Sequence, residues 1–176
     1  MKLLGISGSL RAASYNTALV RQAAEVFGPS AFTLADLRFP LYDGDVEERE
    51  GVPEPVALFH KAIGVADAIV ISTPEYNKGL SGVLKNALDW SSRVKPMPFR
   101  DKPVAIMSAT AGRAGGERAQ MTLRHCLTAF RPRLLTGPEL MVAGAPKAFE
   151  DGRLSDPTAA AILEELMGEL RRAAGG

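Results

Sequence analysis

The stretch GSLRAASYN, residues 8–16, crowds small hydroxyl side chains and one arginine between a short apolar run and the start of a helical pattern. A loop feeding a helix N-terminus presents unpaired backbone N–H groups and the positive end of the helix dipole. Ser9, Ser14 and Thr17 add hydroxyl donors, Asn16 an amide, and Arg11 a forked guanidinium. That donor set suits a terminal phosphate monoester. The same residues also suit an ordinary helix start, with Ser14 or Asn16 as N-cap and Arg11 on the surface. The loop has neither the glycine-lysine-serine ending of a Walker loop nor the G-x-G-x-x-G of a dinucleotide turn.

Two further loops carry chemistry-bearing composition. In TPEYN, residues 73–77, Pro74 lacks an N–H and keeps Thr73 extended. The backbone amides that follow can then face a flat ring, with Tyr76 as a wall and Asn77 capping the next helix; a plain turn is the other reading. In AGRAGGERAQ, residues 111–120, the glycines permit close backbone approach, or simply a flexible turn. Elsewhere the chemistry is thinner. DGDVEEREGVPE places Asp43, Asp45, Glu47 and Glu54 near a calcium-loop spacing, but Glu48 stands where the central glycine is needed. Cys126 falls on an apolar helical face and reads as core, and His125 beside it as partly exposed. No serine sits in a G-x-S-x-G elbow, so a hydrolase has no anchor.

These loops need elements to hold them. Lys2 to Ser7 reads as a strand, followed by a helix with Leu19, Ala23, Val26 and Phe27 inward and Gly28-Pro29 as its stop. AFTLADL, residues 31–37, reads as a second strand, and a helix through Leu58 to Ile63 leads into ADAIVIST. That run is apolar without alternation, as in a parallel strand covered on both faces. Leu80 to Ser92 reads as a helix with Leu80, Leu84, Ala87 and Leu88 on one stripe and Val83 and Trp90 off it, a second apolar patch suited to a subunit interface, or with Trp90 merely covering the sheet edge. Lys85 and Asp89 on it are spaced for an ion pair. KPVAIMSAT is a fourth strand, and a helix marked by Ala119, Leu123, Cys126, Leu127 and Phe130 follows. Arg133 to Val142 is a fifth strand bent at Gly137-Pro138, and the closing helix turns Ile162, Leu163, Leu166 and Leu170 inward. Alternating strands and helices of this kind give an α/β domain over residues 1–176: a doubly wound, five-stranded parallel sheet with helices on both faces. The three unusual loops follow the first, third and fourth strands, so all lie at the carboxyl edge, where such sheets bind ligands.

The formal net charge of +1 points to neither nucleic acid nor a membrane surface. A single cysteine excludes an internal disulfide, and the apolar start is too short for a signal peptide or span; both fit a cytoplasmic protein. Two isolated histidines make no metal site.

Together, GSLRAASYN, PLYDGDVEE, ADAIVISTPEYN, GVLKNALDW and GGERAQMTLR resemble the NADPH-dependent FMN reductase family, and in particular its chromate- and quinone-reducing bacterial members. The resemblance runs in order from residue 3 to about residue 130, and GPELMVAGAPKAFEDGRL fits it more loosely. It implies a flavodoxin-like fold, non-covalent FMN, and hydride transfer from NADPH or NADH to quinones or other small oxidants such as chromate, azo compounds or free flavin. It places the FMN phosphate among Ser9, Arg11, Ser14, Asn16 and Thr17, with Tyr15 in the same loop. The ring would lie along Pro74, Glu75, Tyr76 and Asn77, and Ser108, Thr110, Gly112, Gly115 and Gly116 would close its other edge. No side chain is implied as a catalytic group, and members typically form homodimers or homotetramers. Two alternatives share the fold: a flavodoxin-type electron carrier, against which Arg11 and the +1 charge argue, and a reductase supplying reduced FMN to a partner monooxygenase. Many relatives carry an aromatic residue or histidine directly after PEYN; here stand Lys78, Gly79, Leu80 and Ser81. A lysine there can attract an anionic substrate or the phosphates of the nicotinamide dinucleotide.

Overall fold

The computed structural model describes residues 1–175. The chain runs β1 (Lys2–Ser7), α1 (Tyr15–Phe27), β2 (Ala31–Leu34), α2 (Gly44–Glu50), α3 (Glu54–Val65), β3 (Ala68–Ser72), α4 (Gly82–Ser91), β4 (Pro103–Ala109) and α5 (Glu117–Leu127). After a 3-10 turn at Thr128–Phe130 come β5 (Arg133–Leu134), β6 (Leu140–Val142), α6 (Ala145–Ala148), a small hairpin of β7 (Phe149–Glu150) and β8 (Arg153–Leu154), and α7 (Pro157–Ala173). The main sheet is parallel in the order β2-β1-β3-β4-β5, and β6 pairs with the far end of β4.

The central strands are buried along their length, β3 and β4 at every position and β1 from Leu3 to Ser7, because helices cover both faces. Leu3, Val70, Ala105 and Met107 pack beneath α1 and α7. Leu4, Ile6, Ile69, Ile71, Val104 and Ile106 pack beneath α3, α4 and α5. Leu19, Val20, Ala23 and Phe27 of α1 are all but fully buried, and each large side chain so removed from water contributes about 1.5–3 kcal/mol. At Gly5 an added Cβ would lie 2.4 Å from Val20 and 2.8 Å from Phe32, so α1 and β2 close onto β1 only over a glycine.

The structure corrects several boundaries. Val26, expected inward on α1, is exposed, because the buried stripe is centred on 19, 20, 23, 24 and 27. The second strand ends at Leu34; beyond it Asp36 turns the chain, its carboxylate accepting the Arg38 N–H at 3.1 Å, while Leu37 stays buried outside the ladder. Part of the acidic loop is helical: Asp43 caps α2, accepting N–H bonds from Asp45 at 2.9 Å and Val46 at 3.4 Å. Cys126 is only half-buried, at the margin of the second core. The expected fifth strand is two short strands flanking Gly137-Pro138, each paired to a different end of β4.

Trp90 is the largest correction. It is fully buried and donates its indole N–H to the Pro40 carbonyl at 2.8 Å. Asn86 fixes the same segment, donating to the Pro40 carbonyl and accepting from the Tyr42 N–H, both at 2.9 Å. Tyr42 stands edge-on to Trp90, their ring centres 5.1 Å apart. Trp90 therefore anchors the connection after β2 and presents no surface patch.

Candidate active site

The first loop leaves β1 at Gly8, whose N–H donates to the Ser72 carbonyl at 2.8 Å. Ser14 caps α1: its hydroxyl accepts the Thr17 N–H at 3.3 Å, and its backbone is extended. The N–H groups of Ala13, Tyr15 and Asn16 have no acceptor among the described residues. The Arg11 guanidinium likewise meets no carboxylate or carbonyl among them, although it is exposed beside these donors. A row of unpartnered N–H groups, a helix dipole and an unpaired guanidinium together favour an anion.

Asn16 behaves differently from expectation. Its side chain is 4% exposed and fully engaged: Nδ2 donates to the Ala109 carbonyl at 2.9 Å, and Oδ1 accepts from the Ala109 N–H at 3.0 Å and the Ser72 hydroxyl at 2.8 Å. What Asn16 offers the cleft is its backbone N–H; its amide rivets α1 to the ends of β3 and β4. Thr17 is also committed, its hydroxyl 2.8 Å from that of Ser7.

The second wall follows β3. Thr73 is buried, its N–H bound to the Met107 carbonyl at 3.1 Å. Tyr76 and Gly79 then exchange both backbone hydrogen bonds at 3.1 Å, closing a two-residue turn over Asn77 and Lys78. Both turn residues have positive φ, 50° and 64°, as the hairpin-type turn demands. Asn77 is therefore a turn residue, and the helix cap expected of it falls to Ser81, whose hydroxyl accepts the Leu84 N–H at 3.3 Å. Glu75 reaches across the cleft to α5, where its carboxylate accepts the Arg118 N–H at 3.1 Å and pairs with the Arg118 guanidinium at 3.5 Å.

The third wall follows β4. The Thr110 N–H donates to the Val142 carbonyl at 3.0 Å, and the Ala145 N–H to the Thr110 carbonyl at 2.9 Å. Ser108, expected at the ring edge, is completely buried below the wall, donating to the Gly115 carbonyl at 2.6 Å. Gly115 and Gly116 are required by packing on the protein itself. A Cβ at Gly115 would fall 2.6 Å from the Met141 carbonyl oxygen, and one at Gly116 would fall 2.7 Å from the Ser108 side chain.

The three walls enclose an open cleft of about 520 Å³. Ser9, Arg11, Ser14, Tyr15 and Asn16 line one side, Pro74, Glu75 and Tyr76 another, and Thr110, Gly112 and Gly116 a third. Thr17, Asn77, Ser108 and Gly115 do not line it. Sequence reasoning missed Ala109, Ala111, Arg113, Ala114 and Arg118. Arg113 lies inside a quoted glycine-rich motif and was legible there; the pairing of Arg118 with Glu75 joins positions 43 apart and leaves no local trace. With Arg11, Arg113 and Arg118 against the one carboxylate of Glu75, the cleft is net positive.

A parallel sheet ordered 2-1-3-4-5, with its cleft beyond the carboxyl ends of the strands, defines the flavodoxin-like class. Within that class, the sequence pattern of the NADPH-dependent FMN reductase family matches residues 1–147, and the chain belongs to that family of oxidoreductases. It is 44% identical to the NAD(P)H-dependent FMN reductase of Pseudomonas aeruginosa over 97% of this chain and 94% of that one. It is 35% identical to the quinone reductase of Escherichia coli, over 97% of this chain and 92% of that one. Among solved structures, a flavoenzyme NAD(P)H:(acceptor) oxidoreductase from Paracoccus denitrificans superposes with a TM-score of 0.87 at 26% identity, covering 99% of this chain and 97% of that one. No helix among the described residues is long and apolar enough to cross a membrane.

Proposed function

We propose that the cleft holds FMN without a covalent bond and that the protein carries reducing equivalents from NADPH or NADH to quinones. The observation that carries this reading is the anion-ready start of α1, with Arg11 unpaired among the described residues, in a cleft whose other walls carry Pro74, Glu75, Tyr76, Thr110 and Gly112. The donors match a phosphate monoester, and the cleft volume of about 520 Å³ lies within the usual range for small-molecule sites. Bound FMN supplies the two-electron chemistry.

The chain binds, orients and tunes. Ser9, Arg11 and the N–H groups of Ala13, Tyr15 and Asn16 hold the phosphate end. The N–H groups of Glu75, Ala111 and Gly112, which have no acceptor among the described residues, favour negative charge at the polar edge of a ring. Tyr76, half exposed beside the cleft, gives a nicotinamide or quinone a flat surface, and orientation of this kind removes much of the entropic barrier. Lys78 and Arg113 draw anionic groups of the coenzyme toward the mouth.

Acid release should yield FMN rather than FAD, and steady-state lines for NADPH against a quinone should be parallel in double-reciprocal form, as one shared site requires. FAD in the extract, or converging lines, would contradict the reading. Chromate, azo compounds and free flavin complete the acceptor panel; turnover confined to free flavin would favour supply of a partner monooxygenase.

We place the protein in the cytoplasm on its single, half-buried cysteine. A homodimer or homotetramer is supported by a shallow groove at the cleft edge lined by Leu10, Tyr76 and Val83, in which Leu10 and Tyr76 are 44% and 52% exposed. Light scattering should then give a multiple of 18.7 kDa; a monomer at all concentrations would refute it.

A further inference from the structure

Gln120, in the first turn of α5, is completely buried and does not line the cleft. Its Nε2 donates to the Ser108 hydroxyl and to the Leu140 carbonyl, both at 2.8 Å. Ser108 in turn donates to the Gly115 carbonyl at 2.6 Å, while the Gln120 N–H holds the Gly116 carbonyl at 3.0 Å. The carboxamide thus ties α5 to the end of β4 and the start of β6 and, through Ser108, to Gly115, while the backbone N–H of the same residue holds Gly116. Its Oε1 has no partner among the described residues. A glutamine committed through both amide hydrogens to Ser108 and Leu140 holds these elements in one arrangement. The structure uses its two amide hydrogens. The arrangement also has no slack, because Gly115 is packed on the Met141 backbone and Gly116 on Ser108.

We propose that Gln120, acting through Ser108, is a positioning residue that sets the height of the 110–116 wall against the ring of the flavin. This rests on the reading of the cleft as an FMN site. The relay touches the wall and not the phosphate loop, so its loss acts on the ring end of the cofactor alone.

The test uses full-length protein stripped of flavin and titrated with FMN and with riboflavin, for the parent, Gln120→Leu, Ser108→Ala and the double variant. Ser108→Ala removes one hydroxyl and keeps the Gln120 bond to Leu140, so it serves where Gln120→Leu fails to fold. Each single variant should weaken FMN and riboflavin by the same factor, roughly five- to tenfold, the value of about one neutral hydrogen bond. The double variant should be no worse than the weaker single, since both act through one relay. Flavin affinities within twofold of the parent, whatever happens to thermal stability, would overturn the proposal. So would a loss confined to FMN, or losses that multiply in the double variant. A parent that binds neither flavin overturns the cleft reading and this role with it, whereas a parent that binds both beside unchanged variants overturns this role alone.

Discussion

Asn16→Ala is expected to lower the free energy of unfolding by about 3 kcal/mol, the largest single effect on stability at the site. The substitution leaves the Ser72 hydroxyl and both backbone groups of Ala109 without their present partners. All three residues lie at or below a few percent exposure, where water does not replace the lost bonds. Each unsatisfied buried group costs about 1–3 kcal/mol, and local relaxation recovers part of the sum. For a domain of this size the thermal midpoint should fall by roughly 6–12 °C. Asn16→Asp should recover little, because a carboxylate oxygen would then face the Ala109 carbonyl. Denaturant unfolding of the three proteins measures the effect directly. A loss below about 1 kcal/mol for Asn16→Ala would show that α1 is held to the sheet by its apolar face alone.

Asn16 also shows where sequence reading stops. The strands and long helices were legible because their signals are local: apolar runs for strands covered on both faces, and 3.6-residue periodicity for α1, α4, α5 and α7. The convergence of three loops followed from topology alone. A short polar side chain in a helix's first turn usually faces solvent or ligand, so Asn16 read as a donor to phosphate. Its true partners lie 56 and 93 residues away, and no spacing rule reaches them. Ser108 was misplaced for a related reason. It sits at the end of a strand buried at every position, where alternation cannot tell the side facing the cleft from the side facing α5. Trp90 read as surface because the segment that covers it, Pro40 to Tyr42, is irregular and carries no periodic signature. The glycine pair was read as allowing close backbone approach or as a flexible turn, and its tight neighbours are Met141 and Ser108 of the protein itself.

Arg11→Ala is expected to weaken FMN by roughly 10- to 150-fold while leaving the fold intact, the range of one charge-assisted hydrogen bond at about 1.5–3 kcal/mol. Stability is untouched because the guanidinium is exposed and has no partner among the described residues to lose. The binding effect is large because the nearby N–H groups of Ala13, Tyr15 and Asn16 are dipoles, whereas Arg11 brings a full charge to the same wall. Arg11→Lys should restore only part of the affinity, since a point charge lacks the two-pronged donor geometry. Riboflavin has no phosphate, so both variants should bind it about as the parent does. That pattern is opposite to the one expected of Gln120 and Ser108, where FMN and riboflavin suffer alike. Fluorescence-quenching titrations of the two ligands therefore separate the ends of the cleft. A change of less than about twofold in FMN affinity, the small worth of an exposed charge, would remove the phosphate from the start of α1.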